Sequence, residues 1–311
     1  MAATRDKISL WAVELLVATV EEGAITAAAR RLGVSASSVS QQIAGLEAAL
    51  GAELVDRSAR PFGLTAAGRA FLPHAEAMLD ELARGRAGVG LADPAGLRSF
   101  RLGMIEDFEA EVTPLLLSGM AAELTACRFL LETGPSHRLA AQLEARALDM
   151  VVAAELEGPR EGLETHPLLT EPFVAVWPEG RVGADLPLLH YSPRTVMGRQ
   201  IATYLGREGA AAHRFEIDSY PAILALVAAG QGWSILTPSG VRHGARAGVT
   251  LAPLSGEGLS RRIVLSARAG TMGAWPGEVA RRLRELLGAR IVAPALAEAG
   301  WLAGALRVEG S

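Results

Sequence analysis

Two helical repeats separated by a very short turn constrain the fold more than any other feature of this sequence. Residues 27 to 32 form a short apolar and basic run that stops at Gly33, and only Val34 and Ser35 precede a longer run, residues 36 to 50. In the longer run the apolar positions recur at helical spacing: Val39, Ile43, Leu46 and Leu50. A short helix, a tight turn and a longer helix predict a helix-turn-helix.

Capping residues mark the predicted ends of three helices. A first helix begins near Leu10 and is ended by Gly23. Thr26 is expected to cap the second helix and Ser35 the third, since hydroxyl side chains accept hydrogen bonds from free N–H groups at helix starts. Gly51 ends the third helix.

A short hairpin and a long helix are predicted to follow. Residues 53 to 57 are predicted to form a strand, residues 58 to 63 a turn, and Leu64 begins the return, which is the pattern of a wing. Thr65 then caps a helix that runs to about Arg84, with Pro73 as a possible kink. Its apolar residues have the spacing of a helix that packs on a second copy: Leu72, Ala75, Leu79 and Leu82. Residues 85 to 96, rich in glycine, are predicted to be a linker.

Strands and helices alternate from Phe100 onward, which predicts parallel sheets with crossover helices. The predicted strands are residues 100–104, 128–132, 150–154, 171–177, 188–191, 214–217, 233–236 and 261–266, and the predicted helices are residues 112–124, 137–146, 196–205, 222–229 and 278–287. Ligands bind beyond the carboxyl ends of such strands. Residues 104–108, 133–137, 192–195 and 218–220 occupy those positions, whereas the residues after Pro294 have no predicted partner.

Composition and charge narrow the functional class only by exclusion. The net charge is -4, and residues 1 to 64 hold six basic against seven acidic side chains, so charge alone does not indicate a nucleic-acid partner. Cys127 is the only cysteine, which excludes an intramolecular disulfide and a zinc-thiolate cluster. No apolar run is long enough for a membrane span or a signal peptide, so a cytoplasmic protein is expected.

Catalytic and cofactor motifs are absent from the sequence. The six histidines form no His-x-x-x-His pair, and there is no nucleophile elbow, phosphate-binding loop or dinucleotide fingerprint. We therefore expect neither an enzyme nor a bound metal or cofactor.

Small polar side chains near the start of the third helix lie away from its apolar face: Ser37, Ser38, Gln41 and Gln42. Such side chains can enter the major groove, where glutamine pairs with adenine and serine with several base edges. A solvated polar face capped by Ser35 is the alternative interpretation of the same stretch.

The N-terminal pattern resembles that of the LysR-type transcriptional regulators in one register over about sixty residues. The matching positions are Ala27 to Ser35, Ser37, Val39, Ser40, Gln42, Ile43, Leu46, Glu47, Leu50, Gly51, Leu54, Arg57 and Leu64 to Gly68. A weaker similarity includes Gly134, Ser136, Leu148 to Met150, Glu171, Pro172 and Leu226 to Gly232. The chain departs from the family at Ala36, where glutamine is common, and at Gln41, where a basic residue is common.

The resemblance implies DNA contacts by the helix-turn-helix and the wing. We expect Thr26, Ser35, Ser37, Ser38, Gln41, Gln42, Arg57 and Arg60 to form this interface. Arginine suits the wing because its planar donors bind phosphate oxygens and its charge favours a narrow minor groove, although a solvated turn with an Asp56–Arg57 pair is the alternative. If Arg57 binds phosphate, Arg57→Ala should weaken binding to all duplexes alike. It should also lower the slope of log affinity against log salt concentration by about one.

The resemblance also implies an effector domain of two α/β lobes, like periplasmic binding proteins, with a ligand between them. The candidate effector residues are Glu106, Asp107, Thr133, Ser136, Ser192, Arg194 and Ser219. Glu106 and Asp107 either bind a cationic or hydroxylated effector or face water. Ser136 and Ser219 are also candidate helix caps, and Arg194 either clamps a carboxylate or lies on the surface.

The expected organisation is α+β overall: a winged helix-turn-helix (residues 1–64), a linker helix and hinge (65–98), an effector domain (99–295) and a tail (296–311). Lobe I is expected at about 99–170 plus 267–295, and lobe II at about 171–266. The expected function is sequence-specific binding of double-stranded promoter DNA by a homodimer, by resemblance often a homotetramer, modulated by a small-molecule effector, with no membrane partner. The alternative is a cytoplasmic small-molecule sensor with weak or lost DNA binding.

Overall fold

The structure is a computed structural model that describes residues 8–56, 62–88, 97, 99–125, 127–156, 158, 160–208, 213–243, 247–255 and 258–310. The chain divides into two compact units, Met1–Arg86 and Ala87–Ser311. No helix in the described ranges is long and apolar enough to cross a membrane.

The first unit contains the predicted three helices and hairpin. Its elements are α1 (Leu10–Glu22), α2 (Ile25–Leu32), α3 (Ala36–Leu50), β1 (Val55–Asp56), β2 (Gly63–Leu64) and α4 (Ala66–Gly88). Gly33 has a φ of 70°, so it turns the chain sharply between α2 and α3 at a position that disfavours other residues. The helix-turn-helix and the antiparallel β1–β2 pair are therefore confirmed.

Helix α4 packs on the core of its own unit. Its Ala75 and Leu79 are buried in one cluster with Leu16, Val39 and Ile43. Leu82 is 40 % exposed. The apolar stripe predicted to pair with a second copy is thus partly used within the chain, because the stripe also faces the three-helix core. The helix runs to Gly88, four residues past its predicted end, and Pro73 lies inside it.

The second unit begins with a mixed sheet that we call lobe I. Its strands are β3 (Ser99–Met104), β4 (Arg128–Thr133), β5 (Met150–Ala154), β6 (Leu163–Pro172), β12 (Ser260–Arg268) and β13 (Arg307–Val308), in the order β13-β6-β12-β5-β3-β4. Its principal helices are α5 (Thr113–Glu123), α6 (Ser136–Glu144) and α10 (Trp275–Leu287). The predicted parallel arrangement is confirmed for β4-β3-β5, whereas β6, β12 and β13 pair antiparallel.

The remaining strands of the second unit form lobe II. They are β7 (Val174–Pro178), β8 (Leu188–Tyr191), β9 (His213–Ile217), β10 (Ser234–Leu236) and β11 (Val249–Pro253), with helices α7 (Val196–Glu208), α8 (Tyr220–Ala228) and α9 (Pro238–His243). Strands β8 and β9 are parallel, and β10-β7-β11 is antiparallel. Since β6 and β12 belong to the lobe I sheet, the strands of lobe II lie between Pro172 and Ser260. The strand at residues 261–266, which the expected range for lobe II included, belongs to the lobe I sheet because it pairs with β5 and β6.

The residues after Pro294 do have a partner. Helix α11 (Ala293–Glu298) and a short turn, Gly300–Leu302, lead to β13, which pairs with β6 at Leu169 and Thr170. Leu302 and Leu306 are buried. Sequence periodicity missed this segment because its strand has only two residues and its partner strand lies far back in the chain.

Candidate functional sites

The start of α3 is capped as predicted. Ser35 Oγ accepts a hydrogen bond from the Ser38 N–H at 3.1 Å and lies 2.9 Å from Ser37 Oγ. Val39 and Ile43 are buried in the core below. The opposite face therefore points away from the core, and Ser37, Gln41 and Gln42 are exposed on it, while Ser38 is half-buried.

The structure corrects one expectation in this unit and leaves two outside its range. Thr26 does not cap α2, because the helix begins at Ile25, two residues before its predicted start, and Ala24 occupies the cap position. Thr26 is instead an exposed residue on α2. Arg57 and Arg60 lie outside the described residues.

Glu47 joins α3 to the hairpin, a role that sequence reasoning missed. Its Oε1 accepts hydrogen bonds from the backbone N–H groups of Leu54 at 2.8 Å and Val55 at 3.0 Å. The residue is 7 % exposed. The sequence could have indicated this role, because Glu47 follows Leu46 on the buried side of the predicted helix and a buried charge needs hydrogen-bond partners. Glu47 holds β1 in a defined position relative to α3.

A cleft of about 510 Å³ opens in the second unit where lobe I and lobe II face each other. Three segments that follow the carboxyl ends of β3, β4 and β5 line it, as the topology of parallel strands predicts. The lining residues from lobe I, including the start of β12, are Ile105, Glu106, Asp107, Gly134, Pro135, Ser136, His137, Ala154, Glu155, Ser260, Arg261 and Arg262. The lining residues from lobe II are Tyr191, Thr195, Val196, Met197, Gln200, Asp218 and Tyr220.

Three of the seven candidate effector residues line this cleft: Glu106, Asp107 and Ser136. Thr133, Ser192, Arg194 and Ser219 are not among its lining residues. Ser192 is buried and donates to Glu216 Oε1 at 2.7 Å, while the Arg194 side chain is 77 % exposed and pairs with Glu216 and Asp218. Arg194 thus takes the surface position that was the alternative.

The two serines proposed as helix caps behave differently. Ser219 Oγ accepts from the Ala222 N–H at 3.5 Å and caps α8, as expected. Ser136 is the first residue of α6, whose cap position is Pro135. The Ser136 Oγ instead accepts from the Ala154 N–H at 3.1 Å, which joins α6 to the end of β5 and leaves the hydroxyl proton free to be donated.

A buried ion-pair cluster lies beneath the cleft, centred on Arg261 at the start of β12. Its guanidinium contacts Asp107 at 2.5 Å and Glu171 at 2.7 Å, and it donates to Thr237 Oγ1 at 3.0 Å. Ser239 donates to Glu171 at 2.8 Å. We call these five residues the Arg261 cluster. It connects lobe I to α9 of lobe II, and Asp107 is therefore a structural ion-pair partner as well as a lining residue.

Burial and charge shift the pKa values in and around the Arg261 cluster. Burial raises the pKa of Glu171, an effect that Arg261 opposes and Asp107 reinforces. Burial acts to lower the pKa of Arg261, but Asp107 and Glu171 outweigh it and raise that pKa well above its ordinary value. The arginine stays charged and is fully engaged by its partners.

The wall of the cleft has an excess of negative charge. Arg262 pairs with Glu155 at 3.2 Å, and Asp218 pairs with Arg194 at 3.8 Å. Glu106 is exposed at the cleft and makes no ion pair with any described residue. Burial raises the pKa of the Tyr191 phenol, and the carboxylates of Asp107, Glu106 and Asp218 raise it further, as a negative local potential requires.

The sequence contained a signal for the missed cleft residues. Ser260, Arg261 and Arg262 place polar and charged side chains at the start of a strand that is otherwise apolar. Because Arg261 is buried, its charge required acidic partners, and these lie far away in the sequence. No group of three or more metal-ligating side chains is found within the described ranges.

A helix-turn-helix with a hairpin wing, followed by a two-lobed α/β unit with a cleft, defines a class of protein: transcriptional regulators that respond to a small ligand. Two family descriptions match the chain. "Bacterial regulatory helix-turn-helix protein, lysR family" matches residues 10–69, and "LysR substrate binding domain" matches residues 96–292. The chain belongs to the LysR family of transcriptional regulators.

Individual relatives agree with that assignment. The chain is 38% identical over 181 residues to a probable hydrogen peroxide-inducible genes activator of Mycobacterium xenopi, covering 58% of this chain and 95% of the relative. It is 38% identical over 187 residues to the Mycobacterium avium protein of that name, covering 56% of this chain and 59% of the relative. A hydrogen peroxide-bound OxyR cysteine-to-serine variant from Corynebacterium glutamicum has a TM-score of 0.73 and 25% identity, covering 94% and 98% of the two chains.

Proposed function

We propose that this LysR-family protein reads operator DNA with the exposed N-terminal face of α3. The observation that carries the proposal is the position of Ser37, Gln41 and Gln42 on the solvent side of a helix whose other side is fixed in the core. Recognition helices present their first turns to base edges in the major groove. Arg57 and Arg60 are proposed to contact the DNA backbone and minor groove.

The working protein is proposed to be a cytoplasmic homodimer or homotetramer without catalytic activity. Two copies would place two α3 helices on neighbouring half-sites of one DNA face. The part of α4 that includes exposed Leu82 remains available for contact with a second copy. Ala75 and Leu79 are not available, because they are buried within their own chain. Pairing through α4 would therefore use a narrower surface than the stripe predicted from sequence.

A mobility-shift experiment tests DNA reading with the full chain and its own upstream intergenic DNA. Gln41→Ala and Gln42→Ala should each weaken binding to that duplex by about 1–3 kcal/mol where the amide pairs with a base. The same substitutions should weaken binding to a scrambled duplex far less. Gln231→Ala, an exposed glutamine of the second unit, is the control and should have no effect. Equal losses on both duplexes would exclude base reading. Failure of the wild-type chain to shift any duplex, at low salt too, would favour a sensor without DNA binding.

The effector is proposed to be a cationic or hydroxylated small molecule bound in the cleft. Arg261 and Arg262 are already paired with acidic residues, so the cleft has little free positive charge for an anion. Glu106 offers an exposed carboxylate, and the Ser136 hydroxyl can donate. The rings of Tyr191 and Tyr220 lie 5.4 Å apart and supply an aromatic wall for a cation.

Three ligands of similar shape test this charge preference. Benzylamine, benzyl alcohol and benzoate are cationic, neutral and anionic at neutral pH, and calorimetric titration should rank their affinities in that order. Glu106→Gln should remove the advantage of the amine, and Glu109→Gln, an exposed acid of the same loop that does not line the cleft, should keep it. Tighter binding of benzoate, or binding of none of the three at millimolar concentration, would contradict the proposed class.

Peroxide response is the second candidate, favoured by the names of the relatives. A peroxide switch that closes a disulfide within the chain would need two cysteines, and this sequence has one. Cys127 also precedes β4, at the end of the strand opposite the cleft-lining segment that begins at Gly134. We therefore propose that ligand binding in the cleft, and not disulfide formation within the chain, controls this regulator.

A further inference from the structure

The C-terminal segment, which we define as residues 293–310, is folded although it lies beyond the family match that ends at residue 292. It contains α11, the turn Gly300–Leu302 and β13. Four of its apolar side chains are buried: Ala295, Ala299, Leu302 and Leu306. The segment is therefore part of the packed second unit.

One end of the C-terminal segment is fastened to the strand that leaves lobe I. Strand β13 pairs antiparallel with Leu169 and Thr170 of β6, and the Glu309 N–H donates to the Leu168 carbonyl oxygen at 2.9 Å. Thr170 donates to the Glu309 carboxylate at 2.5 Å. The next residue, Glu171, belongs to the Arg261 cluster. These bonds are made to β6, which with β12 is one of the two strands at which the chain passes between the lobes.

The other end of the C-terminal segment contacts lobe II. Arg242 of α9 lies 3.6 Å from Glu298 of the segment and 3.3 Å from Glu111 of lobe I, measured between nitrogen and oxygen atoms. The Arg242 side chain is 18% exposed. Pro238 and Leu251 of lobe II border the same contact opposite Ala295 and Leu302. Among the described residues of lobe II, Arg242 thus supplies an ion pair to the segment, and Pro238 and Leu251 lie beside it.

We propose that the C-terminal segment is a further connection between the lobes, beside the two strands β6 and β12, the Arg261 cluster and the Arg242–Glu111 pair, and that it helps to hold the lobes in the arrangement seen here. Its hydrogen bonds to β6 anchor it to lobe I, and the Arg242–Glu298 pair ties it to lobe II. An effector that rotates the lobes must stretch or break this pair. The segment thereby sets how readily the cleft responds, because a ligand shifts an equilibrium only by its differential affinity for the two arrangements.

Hydrogen exchange on the full chain tests the connection without any effector. Glu298→Gln keeps the size of the side chain and removes its charge, and amides of α9 and β7 should then exchange about two- to five-fold faster, the range expected for one partly exposed ion pair. Amides of α3 in the first unit should not change. A point variant is preferred to truncation because Leu302 and Leu306 are buried, so their removal would disturb the packing of the second unit as a whole.

Glu285→Gln is the matched control. Glu285 is also a helical glutamate of lobe I that pairs with an arginine, Arg281, at 2.6 Å, but that pair stays within α10. The control should leave exchange in α9 and β7 unchanged. Unchanged exchange there in Glu298→Gln, or faster exchange confined to residues 293–310, would overturn the proposal. Neither result depends on DNA binding or on the identity of the effector.

Discussion

Arg261 satisfies two buried carboxylates at once, so its removal should be among the most costly single changes in the second unit. Arg261→Ala leaves Asp107 and Glu171 buried without their cation, a situation that costs about 3–5 kcal/mol in comparable buried pairs. The free energy of unfolding, followed by tryptophan fluorescence in urea, measures the loss.

The neighbouring arginine provides the control for that prediction. Arg262 is 49% exposed and pairs with a 43% exposed Glu155, so Arg262→Ala should cost about 1 kcal/mol or less. Comparable losses in the two variants would mean that the Arg261 cluster does not stabilise the fold as its geometry indicates.

At the scale of elements, the contact of α4 with the wing depends on a glycine. A Cβ added at Gly68 would lie 2.0 Å from the Leu54 carbonyl oxygen, a backbone atom that Glu47 also helps to position through the Leu54 N–H. Gly68→Ala should therefore force α4 away from β1 and destabilise the first unit by about 1–3 kcal/mol. Thermal unfolding followed by circular dichroism of the unit's helices measures this change.

Substitution of Gly45 in the same unit should change stability in the opposite direction. It lies inside α3 with open space around its position, so Gly45→Ala should stabilise the unit by about 0.5–1 kcal/mol through the better helix propensity of alanine. If both alanine variants shifted stability in the same direction, the close approach at Gly68 would not be the controlling factor.

On the scale of the whole molecule, the two units have separate hydrophobic cores and should unfold separately. Calorimetry of the full chain should show two transitions. Gly68→Ala should lower one of them and Arg261→Ala the other. A single transition moved equally by both substitutions would show instead that the units unfold cooperatively.

Local sequence patterns predicted most of the first unit and the order of the main elements in the second. Gly33 and Gly51 stop helices, and Ser35 caps one, because each acts on residues a few positions away. Thr26 failed as a cap because a hydroxyl residue does not by itself specify where a helix starts, and α2 begins two residues before the predicted start. The carboxyl ends of β3 and β4 were correctly placed at the cleft because parallel topology alone determines that edge.

What the sequence determined by itself is the helix-turn-helix with its polar α3 face, together with the alternation that yields two α/β lobes. Only the tertiary structure showed which residues form the Arg261 cluster and which residues attach the C-terminal segment. Arg261 meets Asp107 across 154 positions, and Thr170 meets Glu309 across 139. Periodicity and capping report interactions within one or two turns of chain, whereas these pairings follow from how β6, β12 and β13 assemble, which no local pattern encodes.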